Sequence, residues 1–149
     1  EQPFTGRLVE FFSDGSRRVE IEIVEGRPHG RSRGWHDNGQ LEVEEQFAEG
    51  ISHGGRTRWH RNGKRRSQAQ IAHGVITGRF VEWHDNGVTA VEMGMKNGKP
   101  DGECRAWFRS GAPKSVALMN EGTVIEREFF PDRKPAAIRL PSTAASTAP

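Results

Sequence analysis

Apolar side chains return along this chain at a fixed interval of 24 residues. A large aromatic residue stands at Phe11, Trp35, Trp59, Trp83 and Trp107, and all four tryptophans occupy this one slot. Further along each unit an apolar residue recurs at Ile23, Phe47, Ile71, Met95 and Met119. Between the two slots apolar and polar residues alternate, as at Val91, Met93 and Met95, which is the period of a half-buried strand. Glycine punctuates the pattern at Gly6, Gly15 and Gly26 and at their equivalents in each later unit, so three slots hold 15 of the 18 glycines. The unbroken segments left between glycines run to roughly 8–10 residues, which favours strands over helices.

Asn38-Gly39, Asn62-Gly63 and Asn86-Gly87 are hairpin turns by composition, because both residue types tolerate positive φ. Each unit therefore reads as strand, Asn-Gly turn, strand, then a Gly-x-x-x-Gly reversal into the next unit. Side-chain phase selects the turn. A two-residue loop sets Trp83 on the face opposite Val91, Met93 and Met95, whereas a three-residue loop Asp85-Asn86-Gly87 sets it on the same face. Burial of the indole with its apolar neighbours favours the three-residue loop, with glycine left-handed in a bulge.

The expected fold class is all-β: an elongated, twisted, single-layer antiparallel sheet of about five stacked hairpin repeats. Units span 6–29, 30–53, 54–77, 78–101 and 102–125, with a partial unit over 126–134, so the repeat domain covers 1–134. Equivalent residues then recur every ~10 Å, twice the strand spacing. Phe129-Phe130-Pro131-Asp132 echoes Phe11-Phe12-Ser13-Asp14 two residues early and without the glycine, as a degenerate cap would. Residues 135–149 form a Pro/Ala/Ser/Thr-rich tail whose composition cannot pay for its own ordering. If ordered, that tail is expected to be held by a partner. The array leaves a strand edge at each end, with Phe4 to Phe12 the expected contact edge and Phe129, Phe130 and the prolines expected to close the other.

The run Gly-x-x-x-x-Trp-His-x-Asn-Gly, followed by an acidic and apolar strand ending in glycine, resembles the bacterial variant of the MORN repeat over about Gly6 to Asp132. The resemblance implies an elongated sheet of hairpins. It also implies protein–protein contact, dimerisation or lipid association, and many such chains are YwqK-type antitoxin components. The chain departs from the related repeats in having no tyrosine.

Composition narrows the function classes. One cysteine, Cys104, excludes an internal disulfide framework and a Cys-rich zinc site. No apolar run approaches the ~20 residues of a membrane helix. His36, His60 and His84 follow the tryptophans, yet a spacing of ~10 Å cannot bring them to the ~2.1 Å of one metal ion. They are expected as solvent-side turn residues bonding near the Asn-Gly loops. His29 and His53 share that spacing, and His73 is isolated. Nothing in the sequence sets a base beside Cys104, adjacent carboxylates such as Glu44 and Glu45 point to opposite faces, and no glycine-rich segment ends as a phosphate loop does. No catalytic, cofactor-binding or metal residues are assigned, and a non-enzymatic protein is expected.

Charge is the most informative polar feature. Unit 54–77 carries +6, from Arg56, Arg58, Arg61, Lys64, Arg65 and Arg66, beside a neighbour at −3. Either the two neutralise each other across strands, or the six residues form a docking patch for an acidic protein or an anionic lipid surface. Nucleic acid is the weakest partner, since the rest of the chain lacks a basic stripe. The leading expectation is a protein-interaction scaffold, an accessory or structural subunit of a larger, envelope-associated assembly. The alternatives are an antitoxin or immunity-like protein and peripheral lipid binding through unit 54–77. A first residue other than methionine suggests an exported protein after signal-peptide removal, the alternative being a cytoplasmic chain cut from something longer.

Overall fold

The computed structural model describes residues 1–133. Lys134, the end of the partial unit, and the tail 135–149 lie outside the described residues. Among the described residues eleven strands follow one another without a helix: β1 (Gly6–Phe11), β2 (Arg17–Val24), β3 (Arg27–Trp35), β4 (Leu41–Ala48), β5 (Ile51–Trp59), β6 (Arg65–Ala72), β7 (Val75–Trp83), β8 (Thr89–Lys96), β9 (Lys99–Trp107), β10 (Pro113–Asn120) and β11 (Thr123–Phe129). Each pairs antiparallel with the next, giving one open eleven-stranded sheet in sequence order. This is the all-β hairpin array expected from the repeat.

The Asn-Gly loop is the three-residue form. His84 N–H donates to Val88 C=O at 2.8 Å and Gly87 N–H to His84 C=O at 2.9 Å, leaving Asp85-Asn86-Gly87 as the loop. Gly87 sits at φ +88°, a left-handed conformation that a side chain would strain. The Asn86 side chain fixes the loop by accepting from the Val88 N–H at 3.1 Å.

The loop is as expected, but the face of the indoles is not. Trp83 pairs with Thr89, and Glu82 pairs with Val91, so Ala90 is an extra residue. The same bulge recurs at Arg18, Glu42, Arg66 and Lys114. One inserted residue reverses the alternation. Val91 and Met93 therefore share a face with Glu82 and Phe80, opposite Trp83. Packing agrees, since Val43 lies against Gly34, the residue before Trp35. An isolated sheet has two faces to cover, and the bulge gives one to aliphatic residues and the other to the indoles.

The reversal also differs. Its turn is only two residues, Glu25-Gly26, Glu49-Gly50, His73-Gly74, Asn97-Gly98 and Glu121-Gly122, with positive φ at both positions. The second glycine of Gly-x-x-x-Gly lies inside the next strand. Gly54, for example, is at φ +107° in β5, where residues 53–55 bulge opposite Gln46.

The core is thin and central. Ser67, Ala69 and Ile71 of β6 are buried between exposed Arg66, Gln68 and Gln70, as strand alternation requires. Val81 of β7 and Ala117 of β10 complete the buried apolar set among the described residues. The tryptophans are only half-buried, and Phe11 at the end of the row is exposed.

Candidate functional site

Most of the polar side chains singled out by the sequence join one repeat to the next. His36 Nε2 lies 3.0 Å from the Trp59 carbonyl, His60 Nε2 2.8 Å from that of Trp83, and His84 Nε2 2.9 Å from that of Trp107. A carbonyl oxygen only accepts, so each Nε2 carries the proton. Asn38, Asn62 and Asn86 donate through Nδ2 to the carbonyls of Arg61, Asp85 and Arg109 at 2.7–2.9 Å. Each turn is thus tied to the main chain of the following turn. The histidines bond near the loops, as expected, but they are half-buried rather than solvent-side and reach across repeats rather than within one.

A second set of ties runs along the reversal side. The Gly50, Gly74 and Gly98 N–H groups donate to the carbonyls of Pro28, Ser52 and Ile76. Beside them, Thr5 Oγ1, His29 Nδ1, His53 Nδ1 and Asp101 Oδ1 accept from the N–H groups of Glu25, Glu49, His73 and Glu121. His73, isolated in the sequence, lies against His53 with ring centres 5.2 Å apart. Sequence reasoning missed this slot because its residues are Thr, His, His and Asp. Only their capacity to accept a hydrogen bond is shared.

The six basic residues of unit 54–77 do not form one patch. Arg56 and Arg58 project on the aliphatic face, where Arg56 pairs with Glu45 at 2.5 Å. Arg61, at a turn, pairs with Asp37 at 2.6 Å. Lys64 reaches the Asn86 carbonyl at 3.3 Å. Arg65 lies on the indole face, 4.9 Å from the Trp83 ring centre. Arg66 is the bulge residue and lines a shallow groove with His60, Glu82 and Trp83. Cross-strand neutralisation describes Arg56, and Arg61 is neutralised between turns.

The ladder Phe11, Trp35, Trp59, Trp83 and Trp107 runs along the indole face beside its cross-strand partners Arg17, Leu41, Arg65, Thr89 and Pro113. Apolar residues such as Val81, Val116 and Leu118 share this face with charged ones. Glu20 is buried among Arg17 at 2.8 Å and Arg7 and Arg33 at 3.6 Å. Arg79 pairs with Glu92 at 2.8 Å, and its hydrogen bond holds the Glu92 carboxyl below its ordinary value. Cys104 is half-buried, paired across from Met93 and Ala117, and burial pushes its thiol pKa up, away from the reactive thiolate.

The C-terminal cap departs from expectation. The cap lacks one residue of the reversal bulge, so Phe130 rather than Phe129 takes the ladder position, and its N–H donates to the Lys114 carbonyl at 2.9 Å. Phe130, Pro131, Trp107 and Pro113 line a groove of about 580 Å³ between Arg105 and Arg133. Phe129 is 68% exposed, and among the described residues β11 pairs only with β10; the prolines after Pro131, expected to help close this edge, lie outside the described residues.

Residues 28–49 match the MORN repeat variant, which supports a MORN-repeat protein. The match covers one of the five units that share the pattern. Such repeats are often protein or membrane-lipid interaction modules and are generally non-catalytic. No curated protein matches the chain.

Proposed function

We propose that this chain is a non-enzymatic protein-interaction scaffold, an accessory or structural subunit of a larger, envelope-associated assembly. One observation carries the reading. The histidine, asparagine and ion-pair chemistry of the chain is largely directed from one repeat to the next, so it holds a ribbon rigid and leaves two long faces for contact. A preorganised surface binds without the cost of ordering it. The test is cross-linking in cells that express the chain, followed by purification. Stoichiometric protein companions are expected, and recovery of the chain alone would overturn the reading. A single small companion would point instead to an antitoxin role. Sedimentation with anionic liposomes probes lipid binding, and reversing Arg58 and Arg66 to glutamate is expected to change little on the scaffold reading.

A further inference from the structure

We infer that the outer edge of β11 receives an extended segment of a partner protein, one that alternates basic and apolar side chains, as an added antiparallel strand. The inference deepens the scaffold reading and rests on it. Among the described residues β11 is paired on one side only, by β10. Alternate residues of an edge strand point their N–H and C=O groups outward, a template for another chain. All seven residues of β11 are exposed, with Ile125 at 59% and Phe129 at 68%. Natural sheets usually blunt such an edge. At the opposite end β1 is likewise paired on one side only, with the Phe4 ring over Gly6 and the exposed Arg7 3.6 Å from Glu20. On β11 the guard is charge, Glu126, Arg127 and Glu128, which repels a strand of like charge and admits a complementary one.

Charge selects the partner. Glu126 and Glu128 share the indole face with Leu118 and Val116, and together with Glu103 they line a shallow groove. Neither Glu126 nor Glu128 has an ion-pair partner among the described residues. A strand laid beside them places alternate residues on this face, where lysine or arginine is complementary. Its other residues fall beside Phe129, whose ring is held under Arg127 at 5.4 Å, and apolar side chains cover it.

The test is titration of the full chain with a labelled, acetylated Lys-Val-Lys-Val-Lys-Val-Lys-Val peptide. Binding is expected, and binding about tenfold or more weaker is expected for the Glu126→Lys, Glu128→Lys variant. That variant is expected to prefer the matching Glu-Val peptide. A Lys-Val peptide with alternate backbone amides methylated keeps the charge and removes the donors, so equal binding by it overturns strand addition in the unaltered protein. Equal binding by the charge-reversed variant overturns the choice of partner. If cross-linking yields a protein partner while the peptide fails to bind, the scaffold reading stands and the β11 assignment falls.

Discussion

The two long sides of the ribbon perform the same task with different chemistry. On the Asn-Gly side, His60 and Asn62 reach the next repeat with side chains whose identity repeats from unit to unit. On the reversal side the ties are a glycine N–H and an acceptor that is Thr5, His29, His53 or Asp101. The difference shows what a repeat must keep. A side chain that donates to a distant carbonyl needs a particular length and shape, while a side chain that only accepts needs an oxygen or a nitrogen in reach.

Substitutions separate the sides. Replacing His60 and Asn62 together with alanine strips the partners from the Trp83 and Asp85 carbonyls, and a loss of about 2 kcal/mol in urea unfolding is expected. A loss as small as that of a surface substitution would show that these ties are ornamental. His73 occupies φ +51° in the reversal turn, where a branched side chain is strained. His73→Val is expected to cost about 1–2 kcal/mol, and His73→Gly less, by the same measurement. His53→Ala removes the acceptor for the His73 N–H and the ring that lies against His73, with an expected cost of about 0.5–1 kcal/mol.

The smallest effect is a matter of pH, and its sign differs between the sides. On the Asn-Gly side the Arg109 hydrogen bond holds Asp85 below its ordinary 3.8. That contribution is present above pH 3.8 and is lost as pH falls through the lowered value. At the reversal side, Glu121 raises Lys96 above its ordinary 10.5. Its contribution is present below pH 10.5 and is lost as pH rises through the raised value. Amide exchange should therefore quicken at the Asp85 loop in acid and at the Asn97 turn in alkali. Loosening of the same side at both extremes would contradict the assignment.

The period, the hairpins and the three-residue loop were legible because glycine and Asx-Gly pairs mark backbone conformation directly. The side of the sheet taken by Trp83 was not. It depends on Ala90, an added residue whose slot holds Arg, Glu, Arg, Ala and Lys in successive units and so carries no common signature. A two-state count of faces from loop length assumed unbroken alternation, and one bulge reversed it. The basic residues of unit 54–77 were equally visible as a run, but their distribution over both faces and a turn follows from strand phase and from Asp37 and Glu45 in the preceding unit. The acceptor slot at Thr5 and Asp101 left no trace of identity to read.

The pairs Asp37–Arg61 and Asp85–Arg109 give the array a means of proofreading its own order. Modules this alike offer a folding chain many near-equivalent mispairings, in which a hairpin skips its neighbour or borrows one from another molecule. Along this one position the sign alternates over four successive modules, from Asp37 to Arg109, while the first module holds the neutral Ser13. A hairpin that docked one place out of turn would meet like charge, acid on acid or guanidinium on guanidinium, and the correct sequence of modules is favoured over its near copies.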